Sequence, residues 1–143
     1  MAGPDLNVSK EDELEILILD DESIVGQRLK TALEKDGHHV EVFIRSRLAA
    51  ARLEQKEFDI LITDILMEEL DGMQILEKVM SKSPRTKVIV ITGYATMDLA
   101  RESSLKGAFD FIAKPFRVGT MRDKVAQAAK VLEKERAASA QAN

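Results

Sequence analysis

Short β-like runs and amphipathic helical patterns alternate five times along this chain, and that alternation constrains the fold more than any other feature. The β-like runs cover residues 14–19, 40–44, 58–63, 87–92 and 108–113. Strict β–α alternation implies a parallel sheet whose strands are joined by right-handed helical crossovers. The sequence therefore predicts an α/β domain.

The composition of the five runs predicts their order in the sheet. The first, third and fourth runs are nearly continuous apolar segments (LEILIL, FDILIT and KVIVIT), as expected of strands covered on both faces. The second and fifth runs alternate apolar and other residues, which is typical of edge strands. This assignment gives the order 2-1-3-4-5, the flavodoxin-like doubly wound arrangement. We expect a five-stranded (βα)5 three-layer sandwich.

Length and composition bound the classes of protein to which the chain can belong. Its 143 residues suit one domain, and we expect a polar leader over 1–13, a folded domain over 14–136 and a frayed tail over 137–143. The absence of cysteine excludes a disulfide scaffold and thiol catalysis. A net charge of −4 argues against a free-standing nucleic-acid binder. No apolar run approaches the ~20 residues that span a bilayer, so we expect a soluble, cytoplasmic domain.

Several residues mark the predicted helix ends. Gly37 and Gly107 stand where the first and fourth helices should close, a position that favours glycine. Ser46 and Thr96 can cap the starts of the second and fourth helices. The fifth helical pattern runs from about residue 118 to 136.

Polar residues stand at the ends of four predicted strands, namely Asp20 and Asp21, Asp64, Thr92, and Lys114. In doubly wound sheets, ligands bind outside the carboxyl ends of the strands at the switch point, here between strands one and three. Carboxylates that converge there repel each other, so they take up protons or recruit a cation. An all-oxygen site with room for waters and a phosphate suits Mg²⁺. With lysine and threonine opposite and one aspartate as nucleophile, the set is typical of phosphoryl transfer.

These motifs, in this order and spacing, resemble the receiver domain of bacterial two-component response regulators, most closely the nitrogen-regulator class. The segments are DD at 20–21, DILMEELDG at 64–72, TGY at 92–94 and KPF at 114–116. The resemblance covers residues 14–132, and it implies a phosphorylation-dependent signalling switch rather than an enzyme. Asp64 would accept a phosphoryl group from a phosphohistidine on a sensor kinase or phosphotransfer protein and lose it slowly by self-dephosphorylation.

The resemblance also implies the ligands of the metal ion. Asp21 and Asp64 would bind Mg²⁺ together with the backbone carbonyl of Leu66, while Asp20 would act through water. It further allows a homodimer, and it implies no direct contact with nucleic acid or membrane.

The resemblance implies a set of switch residues as well. Lys114 would pair with the phosphoryl group, and its bond to Pro115 would be cis. Thr92 would move to bond a phosphoryl oxygen while Phe111 turns inward. Together these changes would shift the surface formed by the fourth helix, the fifth strand and the fifth helix.

Two other functions remain open at this point. An interaction domain that works without phosphorylation would have the same fold, although the presence of the whole polar set argues against it. A phosphatase with an aspartate nucleophile and Mg²⁺ would carry Asp-x-Asp after the first strand, whereas this chain has Asp20-Asp21-Glu22 and no cap insertion.

The segments next to the predicted acceptor have unusual residues. Glu68 stands where the family usually has proline, and Leu66 and Tyr94 are bulky and uncharged at neutral pH. We expect Leu66 and Tyr94 to hinder in-line attack of water on the phosphoryl group. A Leu66→Asn variant should therefore lose its phosphoryl group faster than the parent, measured as decay of the phosphorylated protein. An unchanged decay rate would contradict this expectation.

Overall fold

Strands and helices alternate strictly in this computed structural model, which describes residues 13–65, 70–93 and 97–142. The predicted 1–13 leader thus lies outside the described residues except for Glu13. In chain order, the elements are β1 (Glu15–Leu19), α1 (Ser23–Lys35), β2 (His39–Phe43), α2 (Ser46–Gln55), β3 (Ile60–Asp64), α3 (Gly72–Lys82), β4 (Lys87–Thr92), α4 (Met97–Leu105), β5 (Asp110–Ala113) and α5 (Val118–Ala142).

The strands form one parallel sheet in the order β2-β1-β3-β4-β5, so the predicted order is confirmed. β3 lies at the centre and is buried at every residue. In the register, Leu19 lies opposite Thr63, and Asp64 lies opposite Ile91. The strands therefore finish at a common edge, and residues that end or follow them become neighbours there.

Alternate side chains of the buried strands enter two separate cores, which is why their sequences are nearly continuous apolar runs. Ile16 and Ile18 of β1 join the core that includes α1 and α5. Leu17 and Leu19 join the core that includes α2 and α3. This arrangement makes three layers and confirms the predicted doubly wound architecture.

The glycines predicted to end α1 and α4 do so. Gly37 has φ of 97° and Gly107 has φ of 102°, values in the left-handed region that disfavour other residues. The prediction that Ser46 caps α2 is wrong. Ser46 is the first residue of the helix, and its buried hydroxyl oxygen accepts a 2.9 Å hydrogen bond from the backbone N–H of Leu70 instead. The predicted cap Thr96 lies outside the described residues.

The last helix is longer than the sequence pattern suggested. α5 continues to Ala142, through the segment interpreted as a frayed tail, so its predicted end near residue 136 is wrong. The segment AASAQA at 137–142 contains no glycine or proline, and alanine has the highest helix propensity. Despite the length of α5, none of the helices in the described part of the chain is apolar enough to cross a membrane.

The start of α3 lies directly against the end of β3. The backbone N–H of Gly72 donates a 2.8 Å hydrogen bond to the carbonyl of Ile65. Asp71 caps the helix reciprocally with Gln74, since each side chain accepts a bond from the other's backbone N–H. A Cβ atom on Gly72 would lie 2.7 Å from Ile65 Cα and would overlap the carbonyl oxygen of Asp64. Only glycine lets the helix approach the strand end this closely.

We expect Gly72→Ala to destabilise the protein by about 1–3 kcal/mol, the usual cost of overpacking, because the clashing atoms are backbone and cannot rotate away. Gly119→Ala is the matched control. It lies in α5 with open space around its Cβ direction, so it should stabilise by about 0.5–1 kcal/mol through helix propensity. Urea unfolding of the parent and both variants measures the difference. Equal stability of the Gly72→Ala variant and the parent would contradict the close packing.

Candidate functional site

The carboxyl edge of the sheet brings together side chains that are distant in sequence. Asp20 directly follows β1, and Asp64 is the last residue of the central strand β3. Thr92 ends β4, and its carbonyl oxygen accepts a 2.8 Å hydrogen bond from the backbone N–H of Lys114, which follows β5. Four of the residues singled out in the sequence therefore lie along one edge, around the switch point between β1 and β3.

Three aspartates form a compact acidic group at this edge. Asp20, Asp21 and Asp64 each present one carboxylate oxygen, and these oxygens lie within 4.8 Å of one another. Asp20 and Asp64 are buried, whereas Asp21 is exposed. At such a separation, with an intermediate dielectric constant, two like unit charges repel by about 3–4 kcal/mol. The group therefore has a strong tendency to bind a proton or a cation.

Asp20 shows the effect of this crowding most directly. Its Oδ1 accepts a 2.8 Å hydrogen bond from the backbone N–H of Glu22. Its Oδ2 is buried and has no hydrogen bond within the described part of the chain. The nearby Nζ of Lys114, at 2.9 Å, forms an ion pair with Oδ2 that lacks hydrogen-bond geometry. Burial raises the pKa of Asp20 above its ordinary value, and the opposing effects of Lys114 and the Glu22 N–H do not cancel it.

Lys114 supplies the positive charge of the site. Its Nζ donates hydrogen bonds to Asp64 Oδ2 at 2.9 Å and to Glu22 Oε1 at 2.6 Å. Burial disfavours the charged amine, but the contacts with Glu22, Asp20 and Asp64 outweigh burial and raise the pKa of Lys114 above its ordinary value. Three carboxylates contact this ammonium, and with the nearby Asp21 the site has a net formal charge of −3 among the described residues. The carboxylates therefore outnumber the ammonium at this edge of the sheet.

The acidic group could hold a metal ion, and its chemistry fits a hard divalent cation. All three donors are carboxylate oxygens, the ligand type that such cations prefer. The buried Oδ2 of Asp20 pairs with Lys114 but has no hydrogen bond within the described part of the chain, so a metal ion could bind it as a second cation. The fourth ligand that the resemblance implies, the carbonyl oxygen of Leu66, lies outside the described residues.

The other residues singled out in the sequence flank this group. Thr92 is fully buried at the end of β4. Phe111 is half-buried in β5 and packs against the core on the α2 and α3 side of the sheet. The peptide bond between Lys114 and Pro115 is cis, the isomer that the resemblance implies.

Glu22 is a residue of the site that the sequence patterns did not reveal. It precedes α1 and contacts Lys114, which lies 92 positions further along the chain. An acidic residue at a helix start is ordinarily a solvated side chain or a cap. The signal in the sequence was a third consecutive acidic residue directly after β1, at the edge where the lysine was expected.

Comparison with known proteins agrees with this geometry. The family model described as response regulator receiver domain matches residues 16–126. The response regulator receiver protein CpdR of Brucella abortus (strain 2308) is 34% identical over 117 residues, which cover 82% of this chain and 95% of CpdR. The regulatory protein AtoC of Escherichia coli (strain K12) is 38% identical over 101 residues, which cover 71% of this chain but only 22% of AtoC.

A solved structure supports the same relationship. The beryllofluoride-activated receiver domain of NtrC4, solved as a dimer, superposes with a TM-score of 0.78 at 30% sequence identity. The superposition covers 82% of this chain and 98% of the NtrC4 domain. Receiver domains are regulatory modules of two-component systems. By fold, site and sequence, the chain belongs to the response regulator receiver domain family.

Proposed function

We propose that this receiver domain is a phosphorylation-dependent signalling switch in which Asp64 accepts a phosphoryl group. The position of the Asp64 carboxylate carries the proposal. It ends the central strand, 2.9 Å from Lys114 Nζ, and one of its oxygens lies within 4.8 Å of oxygens of Asp20 and Asp21. A carboxylate on a rigid strand end, between an ammonium and a cation site, has the surroundings that phosphoryl transfer requires.

The transfer forms one bond and breaks one. The Asp64 carboxylate attacks phosphorus, an O–P bond forms, and the P–N bond of a phosphohistidine breaks with its electron pair returning to the imidazole. Mg²⁺, held by Asp21, Asp64 and the Leu66 carbonyl and by Asp20 through water, would neutralise charge on the phosphoryl oxygens. Lys114 adds a second positive charge beside the acceptor. The hydroxyl of Thr92 donates a hydrogen bond to a phosphoryl oxygen.

The added phosphoryl group would act on the surface formed by α4, β5 and α5. Thr92 directly precedes the segment leading to α4, and Lys114 lies between β5 and α5, so both residues connect the site to these elements covalently. The phosphoryl group carries about −1.5 to −2 charges and strong acceptor oxygens, in place of the single negative charge of the free Asp64 carboxylate. Phe111 lies three residues before Lys114, half-buried, and its further inward turn would couple β5 to the movement of Thr92.

The partner that suits this chemistry is a sensor histidine kinase or a phosphotransfer protein that carries phosphohistidine. The dimer described for the NtrC4 receiver supports a homodimer as a second assembly. The proposed role involves a cytoplasmic setting and no direct contact with nucleic acid or membrane. It also involves no catalytic turnover beyond slow loss of the domain's own phosphoryl group.

Incubation with Mg²⁺ and acetyl phosphate tests the acceptor. Intact-mass spectrometry should show one added phosphoryl group on the parent and none on an Asp64→Asn variant. Asp123→Asn, which changes an exposed carboxylate on α5, is the matched control and should still be phosphorylated. Phosphorylation of Asp64→Asn at the parent's level would contradict the assignment. Turnover of many phosphate esters would indicate a phosphatase, and absence of both reactions would indicate a phosphorylation-independent interaction domain.

The pKa of Asp20 generates a second test. A raised carboxyl pKa means that the folded state binds the proton more tightly than the unfolded state, so stability falls as pH rises above the ordinary value of 3.8. Without Mg²⁺ at pH 7, Asp20→Asn should therefore stabilise the protein, because the neutral amide removes a buried negative charge from the crowded acidic group. The advantage should shrink as pH falls toward 3.8. Millimolar Mg²⁺ should stabilise the parent far more than Asp20→Asn.

Asp36 offers a control of opposite sign. Its hydrogen bonds with Arg122 lower its pKa, so its contribution to stability is present at pH 7 and is lost as pH falls through the lowered value. Asp36→Asn should thus be slightly destabilising at pH 7 with and without Mg²⁺. Thermal unfolding across pH measures both variants. A loss of stability in Mg²⁺-free Asp20→Asn at pH 7 would contradict the electrostatic account.

A further inference from the structure

Glu22 is the most exposed of the carboxylates that contact Lys114. The Lys114 side chain is 15% exposed, whereas that of Glu22 is 64% exposed. Of the three carboxylates around Nζ, Glu22 makes the shortest contact, at 2.6 Å, against 2.9 Å for Asp20 and for Asp64. An ammonium group has three N–H donors; that of Lys114 donates to Glu22 and Asp64 and forms an ion pair with Asp20. A phosphoryl oxygen arriving at Asp64 therefore finds Lys114 already engaged.

Backbone hydrogen bonds fix the position of Glu22 at the start of α1. Glu22 is the N-cap residue of α1, yet its side chain makes no capping hydrogen bond. Its N–H donates to Asp20 Oδ1, and its carbonyl oxygen accepts bonds from the N–H groups of Val25 and Gly26. From this position, the side chain contacts Lys114 instead of capping its own helix.

Among the three partners of Lys114, Glu22 is the one that a new anion can displace. Asp20 and Asp64 are buried on rigid strand ends and belong to the acidic group that could hold a metal ion. Glu22 lies outside that group and is mostly in solvent, where an ion pair is weak and side-chain entropy opposes it. The pairing of Lys114 with Glu22 must be given up, at least in part, for Lys114 to bind a phosphoryl oxygen.

We propose that Glu22 is a positioning residue that competes with the phosphoryl group for Lys114 and so weakens the binding of that group at Asp64. The proposal rests on the proposed phosphoacceptor function and adds a residue that tunes it. Glu22 holds Lys114 over the acceptor while the domain is unphosphorylated. When Lys114 binds a phosphoryl group, its contact with Glu22 is lost. The free energy of that lost contact offsets part of the free energy gained from the phosphoryl group.

Two substitutions separate this competition from a simple effect of charge. Glu22→Gln removes the charge and most of the attraction to Lys114. Glu22→Asp keeps the charge, but its shorter side chain is a favoured N-cap that bonds to the N–H groups of α1, so it should leave Lys114. Glu34→Gln, an exposed acidic residue further along α1 without a described side-chain contact, is the matched control for charge on the same helix.

The measurement is a titration with beryllofluoride, a phosphoryl analogue, at saturating Mg²⁺ determined separately for each variant. Both Glu22→Gln and Glu22→Asp should bind beryllofluoride about two- to fivefold more tightly than the parent, the factor expected from releasing an exposed ion pair. Glu34→Gln should bind like the parent. Thermal unfolding of each variant without beryllofluoride should show that the folded domain is retained.

Each other outcome overturns the proposal. Tighter binding by Glu22→Gln alone would show that the charge acts through space rather than through the contact with Lys114. Unchanged or weaker binding by both variants would show that Glu22 does not compete. Failure of the parent itself to bind beryllofluoride would instead refute the phosphoacceptor function, so the two failures are distinguishable.

Discussion

Mutual repulsion among carboxylates, held together at the end of a buried parallel sheet, is the constraint on which this molecule's chemistry depends. Asp20 and Asp64 are nearly inaccessible to water, and one oxygen of Asp20 has no hydrogen bond within the described chain. Isolated side chains would move apart under this repulsion. Here they cannot, because β1 and β3 are packed on both faces and their register fixes the strand ends. The fold thus keeps these carboxylates close together despite their repulsion, and the ammonium group of Lys114 offsets only part of that repulsion.

The fold and the site are coupled through the backbone next to Asp64. Ser46 accepts a bond from the Leu70 N–H, and Gly72 donates to the Ile65 carbonyl, so α2 and α3 both attach to the chain that flanks the end of β3. The absence of a side chain on Gly72 allows α3 to lie against the peptide of Asp64. In the proposed switch, two helices would resist a movement at Asp64, so the change would be transmitted through the opposite side, along β4 and β5.

Much of this arrangement could be predicted because it depends on local patterns. Nearly continuous apolar runs predicted the central strands, and alternating runs predicted the edge strands. The ends of the predicted strands placed Asp64 and Lys114 at the same edge of the sheet. The predictions failed where contacts between distant parts of the chain determine the position of a side chain. Ser46 has the chemistry of a cap, but its hydroxyl bonds a distant segment. Glu22 follows β1 and Lys114 follows β5, so their contact joins distant parts of the chain. No local sequence pattern predicts the direction in which an exposed glutamate side chain points.

The most direct test of the account is a two-dimensional ¹⁵N–¹H NMR titration with Mg²⁺ and beryllofluoride added together. The account predicts large shifts for the amides of Asp21, Gly93 and Lys114 at the carboxyl edge of the sheet. It predicts little change for Asp59 and Thr86, which precede β3 and β4 at the other edge. A spectrum that stays the same, or that changes equally in an Asp64→Asn variant, would contradict the claim that these carboxylates bind magnesium and a transferred phosphoryl group.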